Sequence, residues 1–144
     1  MKKILILLML FLCGTANAAK VEGVIYDWKI TRVVDGDTVE FEAKFLPQPL
    51  KPLLSIRVLG VDTPEKAPRA KCEKEAEAAK KASEFTKKLV SSATKTQIEI
   101  REWDKYGGRV LGDVLLDGKR LSEMLIENKH ARPYFGEAKK SWCE

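Results

Sequence analysis

Leu53-Leu54-Ser55-Ile56-Arg57-Val58-Leu59-Gly60-Val61-Asp62-Thr63-Pro64-Glu65 is the stretch from which the fold is read. From Leu53 to Val61 the residues are mostly apolar and short enough in run to form a strand. Asp62-Thr63-Pro64 ends it, because proline has no N–H to add to a ladder. Arg57 stands between Ile56 and Val58. A guanidinium there is costly to bury, so an anionic partner or ligand is expected for it. The bland alternative is that Arg57 only snorkels to the surface. The rigid turn at the strand end is a good place to fix two carboxylates, Asp62 and Glu65.

On the N-terminal side, Phe45 to Pro52 carries Pro47, Pro49 and Pro52 and reads as a loop rather than a central strand. Before it, Val21 to Ala43 reads as strand and turn. Val39, Phe41 and Ala43 alternate with Glu40 and Glu42, and Asp35-Gly36-Asp37 marks a hairpin or bulge. On the C-terminal side the period changes. From about Cys72 to Val90, the residues Cys72, Ala76, Ala79, Ala82, Phe85 and Leu89 share one helical stripe. Gln97 to Arg101 alternates again as a strand. Asp104-Lys105-Tyr106-Gly107-Gly108-Arg109 is a glycine-rich loop whose backbone can approach a ligand closely. Arg109 to Leu116 is a further strand, Asp117-Gly118 a turn, and Leu121, Met124 and Leu125 suit a short helix. The tail from Lys129 is mixed, with Tyr134 and Phe135 side by side; His130, the lone histidine, is read as structural or exposed. This order, three strands, a helix, about two more strands and a helix, predicts a mainly β, α+β domain. The arrangement that fits is a small five-stranded OB-fold barrel with helices packed against it.

The first residues are read apart from the fold. Met1-Lys2-Lys3 is a short positive start, Ile4 to Leu12 an apolar run too short to span a bilayer, and Ala16-Asn17-Ala18 a small-x-small cleavage signal. A signal peptide over 1–18 is expected, leaving one domain over 19–144. The chain is then exported, to the periplasm or the outside, with no stable membrane association after cleavage. The alternatives are an uncleaved anchor or lipid attachment at Cys13, against which the bulky Leu12 stands. Cleavage leaves 126 of 144 residues, with 24 basic against 21 acidic side chains. A net charge of +3 permits a polyanionic partner without requiring one. Two cysteines remain, Cys72 and Cys143. With no CxxC spacing and one histidine, a zinc site is not expected, whereas a Cys72–Cys143 disulfide is. A monomer is expected.

Taken singly, none of the charged motifs is specific. Together they put oxygen donors beside planar cations in three segments, a mixture suited to a hard metal ion and a phosphate. Val34-Asp35-Gly36-Asp37-Thr38, Arg57 to Glu65, and Asp104 to Arg109, with the helix that follows Glu65 and the stretch Leu121 to Tyr134, resemble the thermonuclease, or staphylococcal nuclease-like, family. The resemblance covers most of the chain after the leader. It implies a five-stranded OB barrel with three helices and a Ca²⁺-dependent phosphodiesterase that cleaves DNA and RNA to leave 3′-phosphate ends. By the same resemblance Asp37 and Asp62 are metal carboxylates, and Thr63 offers its backbone carbonyl. Glu65 lies near the metal and the attacking water, and Arg57 and Arg109 grip the scissile phosphate. Lys105 and Tyr106 contact a terminal phosphate, and Tyr134 belongs to the nucleotide pocket. Two departures stand out. Gly107-Gly108 precedes Arg109 where the family's best-known member has one glycine, and Phe135 stands where a second tyrosine is expected. A non-catalytic OB-fold module that binds nucleic acid or protein is the alternative. A small disulfide-stabilised OB protein binding an oligosaccharide or an envelope partner is a third reading, which leaves Arg57 and Arg109 unexplained.

Overall fold

A computed structural model describes residues 22–144, so the leader read over 1–18 lies outside the described residues. The elements follow the chain as β1 (Val24–Tyr26), β2 (Ile30–Asp35), β3 (Thr38–Glu42), β4 (Leu53–Val58), β5 (Val61–Asp62), α1 (Glu73–Ser92), β6 (Thr96–Trp103), β7 (Arg109–Leu116), β8 (Lys119–Arg120), α2 (Leu121–Glu127) and β9 (Arg132–Pro133). Seven strands form one sheet in the order β1-β6-β7-β4-β3-β2, with β8 paired to the end of β7. The β4–β7 pair is parallel and the other pairs are antiparallel. β5 and β9 form a separate antiparallel pair.

The alternation read in the sequence sets the core. Val39, Phe41 and Ala43 of the β3 edge are fully buried, as are Ile56 of β4, Ile98 of β6 and Val114 of β7. α2 closes the core with Leu121 and Leu125. α1 lays Ala79, Ala82 and Thr86 inward, and its capping residue is Cys72, whose Sγ accepts from the Glu75 N–H. The helix is tied to the β2–β3 hairpin at its turn. Thr86 Oγ1 donates to the Gly36 carbonyl at 2.7 Å, and a Cβ on Gly36 would stand 2.8 Å from Ala82 Cβ. Glycine at 36 thus lets the hairpin tip sit against the helix, which fixes Asp37 one residue further on.

Two points differ from expectation. The sheet is open and has seven strands, with no ladder joining its edge strands β1 and β2, whereas a small five-stranded barrel was expected. Two helices are present among the described residues, where the resemblance implied three. The tail after α2 has a physical reason not to coil. Pro133 lacks an N–H and restricts Arg132, and Gly136 takes a φ of +100°. Cys72 and Cys143 are joined, with Cα atoms 6.0 Å apart, which pins the tail to the start of α1.

Candidate active site

Arg57 faces Thr38 across the β3–β4 ladder, and Ser55 and Arg57 pair with Arg109 and Leu111 of the parallel strand β7. With side chains alternating by residue, this register places Arg57 and Arg109 on one face of adjacent strands, two residues apart. Each guanidinium is oriented by a buried carboxylate. Arg57 Nε lies 3.4 Å from Asp37 Oδ2, and the other Asp37 oxygen accepts from Thr38 Oγ1 at 2.9 Å. Arg109 Nε donates to Asp104 Oδ2 at 2.7 Å. Asp37 is thus the anionic partner that the sequence demanded of Arg57.

The loop before Arg109 is closed on itself. Asp104 N–H donates to the Arg109 carbonyl, Gly107 N–H to the Asp104 carbonyl, and Tyr106 N–H to Asp104 Oδ1. Gly107 and Gly108 have φ of +69° and +64° with open space where a Cβ would be. The doubled glycine therefore serves the left-handed backbone of the turn, and Arg109 still opens β7. Asp104 carries opposing influences. Its burial raises the carboxyl pKa, but the hydrogen bond and charge of Arg109 more than offset this and hold it below the usual carboxylate range.

Arg57 and Arg109 line a cavity of about 1050 Å³, and Lys105, Tyr106 and Tyr134 line the same cavity. Five of the predicted residues therefore converge. Tyr106 is 78% exposed, with Lys105 Nζ 5.0 Å from its ring centroid. Tyr134 is placed by its N–H, which donates to the Gly60 carbonyl at 3.0 Å. Phe135, 85% exposed, stands at the rim.

The other predicted acids lie to the side. Asp62 and Thr63 are buried, Asp62 on the β5–β9 pair opposite Arg132. Trp142 Nε1 donates to Asp62 Oδ2 at 3.1 Å, and Lys139 Nζ lies 2.6 Å from Asp62 Oδ1 and 3.9 Å from Glu65 Oε1. Glu65 also meets Arg69 Nε at 3.1 Å. Asp62 and Glu65 therefore share one ammonium, while Asp37 serves Arg57. Among the described residues no three His, Cys, Asp or Glu side chains gather closely enough to hold a metal by themselves. The chemistry of Asp62 nonetheless suits a hard cation. Its Oδ1 is buried without a properly angled hydrogen bond, and what lies against it is a positive charge. The oxygen donors fit such an ion in kind, with backbone carbonyl and water left to complete the shell.

Arg101, Arg120 and Lys139 also line the cavity and were not singled out from the sequence. Arg101 reads there as an ordinary strand residue, and nothing local to Arg120 or Lys139 marks where they point. His130 behaves as expected, its ring 4.5 Å from that of Phe85 and its pKa lowered by burial.

Residues 55–142 match the family model described as staphylococcal nuclease homologue. The chain belongs to that family. It is 33% identical over 116 residues to the endonuclease YhcR of Bacillus subtilis (strain 168), a match covering 76% of this chain and 9% of that protein. It is also 33% identical over 110 residues to the thermonuclease of Staphylococcus hyicus, covering 75% of this chain and 59% of the relative. The chain thus spans a small part of the first relative and over half of the second. The matched segment of the staphylococcal nuclease homologue model runs from within β4 to the tail and includes Arg57, Asp62, Glu65, Asp104 and Arg109.

Proposed function

We propose that this chain is an exported nuclease, a Ca²⁺-dependent phosphodiesterase acting on DNA, RNA or both and leaving 3′-phosphate ends. The observation that carries the reading is the pair Arg57 and Arg109. They stand on one face of adjacent strands, each aimed by a buried carboxylate, in a cavity that also presents Lys105, Tyr106 and Tyr134. Two oriented guanidinium forks match the oxygens of a phosphodiester, and they stabilise charge that grows on those oxygens as the phosphorus is attacked. The aromatic faces of Tyr106 and Tyr134 offer stacking to bases. Relatives named endonuclease and thermonuclease support the same chemistry.

Asp62, Asp37 and the Thr63 carbonyl are the groups that would hold the ion, and a bound Ca²⁺ supplies polarisation of a phosphoryl oxygen. Glu65 is the carboxylate assigned to the attacking water, as general base or as its positioner. The leader is removed after Ala18, the product is a monomer in the periplasm or outside the cell, and its open sheet corresponds to the five-stranded OB barrel of the family.

The second reading is the binding module, and one observation favours it: Asp62 and Glu65 already face the Lys139 ammonium, with no cluster of three acids among the described residues. One experiment separates the two. The purified mature chain is incubated with single-stranded DNA, duplex DNA and RNA in Ca²⁺ and then in excess chelator, and product ends are tested for removal of a 3′-phosphate. Cleavage with Ca²⁺ and none with chelator is expected. Binding without cleavage under any divalent ion selects the module, and cleavage that survives full chelation overturns the metal assignment.

A further inference from the structure

Beyond the pair that grips one phosphate, a second pair of arginines lines the same cavity. In the β6–β7 ladder Ile100 faces Gly112 and Glu102 faces Leu111, so Arg101 is the extra residue of a bulge. A bulge re-aims its side chain out of the regular alternation. The ladder approaches closely there. A Cβ on Gly112 would lie 1.8 Å from the Glu99 carbonyl oxygen, so only glycine admits this approach. Arg120 reaches the same place from β8, next to the end of β7.

Both arginines are buttressed by one buried acid. Glu99 is 3% exposed, covered in part by Gly23, whose Cβ position falls 2.3 Å from Glu99 Cγ. Arg101 Nε donates to Glu99 Oε1 at 3.0 Å, and Arg120 Nη1 pairs with Glu99 Oε2 and lies 3.6 Å from Asp113 Oδ2. Asp113 is itself held by Ser122 Oγ, which donates to its Oδ2 at 2.6 Å. The described contacts engage Arg101 only through Nε and Arg120 only through Nη1. Their remaining nitrogens have no partner among the described residues, and both side chains are partly exposed, at 25% and 33%. This is the arrangement of Arg57 with Asp37 and of Arg109 with Asp104, repeated in the same cavity. Arg101 stands two to three residues along β7 from Arg109, roughly 7–10 Å at ~3.4 Å per residue, a step comparable to that between phosphates of an extended strand. Six cations, Arg57, Arg101, Lys105, Arg109, Arg120 and Lys139, line the cavity against the acids Asp104, Asp113 and Glu123. Its volume of about 1050 Å³ lies at the upper end of sites for one small ligand.

From this geometry we infer that Arg101 and Arg120, held by Glu99, form a second phosphate subsite that takes a flanking phosphate of the bound strand. The inference rests on the nuclease reading for the identity of the ligand. The subsite makes the chain prefer substrates long enough to fill it over minimal ones.

The test uses the mature chain, Arg101→Gln, the double variant Glu99→Gln/Arg120→Gln, and Arg109→Ala. The double variant removes the buried acid together with its partner and leaves Asp113 to the hydroxyl of Ser122, and thermal melts check that each variant folds. Two readouts are taken. The first is the ratio of kcat/KM on a hexadeoxynucleotide to that on a dinucleotide. The second is the salt dependence of hexanucleotide binding by fluorescence anisotropy in chelator, which needs no metal and no turnover. In Arg101→Gln the ratio is expected to fall about tenfold, as for loss of one charged hydrogen bond. The slope of log K against log salt is expected to shrink by about 0.7, as for one phosphate contact on a single strand. The folded double variant shows the same loss, whereas Arg109→Ala depresses cleavage of both substrates together. A ratio and slope that stay at wild-type values in both folded variants overturn the subsite and leave the arginines as a staple between β6 and β8. If the wild-type chain cleaves neither substrate while the slope still falls in Arg101→Gln, the nuclease reading fails and the subsite stands.

Discussion

Arg57 and Arg109 show how a single carboxylate can turn a costly side chain into a tool. Asp37 and Asp104 are buried, and each spends its charge on aiming a guanidinium into the cavity. Replacing Arg109 or Arg57 by Ala is expected to lower turnover on DNA by about 10²–10³, the usual effect of losing one preorganised donor to a developing anion. Glu65→Gln is expected to fall by orders of magnitude as well, with circular dichroism unchanged, since Glu65 is half-buried and makes surface pairs only. A near-normal rate in any of these removes that residue from its assigned role. The pH response follows from Asp104 and Glu99. Burial raises both carboxyls, but the arginines against them more than offset it, so both titrate below the usual range. A depressed folded pKa contributes stability above the unfolded value, about 3.9 for Asp and 4.3 for Glu, and that contribution is lost as pH falls through the folded value. Thermal melts from neutral pH down are therefore expected to show Tm falling at acid pH, more steeply in the wild type than in Asp104→Asn. Parallel profiles for the two proteins count against the pairing. At this scale much was legible: Arg57 between two aliphatic residues required an anion. Which anion was not legible, because Asp37 is distant in sequence and meets it only across a ladder.

At the level of elements, the strands carry the site by their register. Parallel pairing of β4 with β7 sets Arg57 beside Arg109, and the bulge in β6 turns Arg101 toward them. Gly112 is the hinge of this arrangement, since β6 and β7 approach there more closely than any side chain permits. Gly112→Ala is expected to cost at least the ~1–3 kcal/mol typical of overpacking, read as a lower denaturation midpoint. An unchanged midpoint would show that the two strands separate easily. The strand from Arg109 to Leu116, the loop from Phe45 to Pro52 and the helix after Cys72 follow the periods and prolines of the sequence. The bulge does not: the alternation over residues 97–101 breaks at the adjacent polar pair Arg101-Glu102, which reads equally as the end of a strand, so composition by itself does not report a slip in pairing. The short β8 and β9 escape for a related reason: two residues make too brief a pattern to carry a period.

Across the whole molecule, the tail is the part that long-range structure decides. The Cys72–Cys143 bond closes a separation of 71 residues and holds the tail where Trp142 and Lys139 reach Asp62. A closed loop of that size stabilises by roughly 4 kcal/mol in the chain-entropy account, so reduction is expected to lower the denaturant midpoint accordingly. Equal midpoints with and without reductant would mean that the tail contributes through its packing alone. The open sheet belongs to this scale too. β1 and β2 follow each other in sequence but sit at opposite edges of the sheet, so whether a barrel closes depends on pairing between distant strands. The amino-acid sequence alone determined the types of the longer elements, their buried faces, the presence of cysteines at 72 and 143 and the identity of the charged groups, because period, proline, glycine and side-chain chemistry act within a few residues. Only the tertiary structure decided which carboxylate aims which arginine, that Arg101 and Arg120 join the cavity, and that Lys139 rather than a third acid meets Asp62. Those choices are made by register and by a covalent tie between residues far apart in the chain.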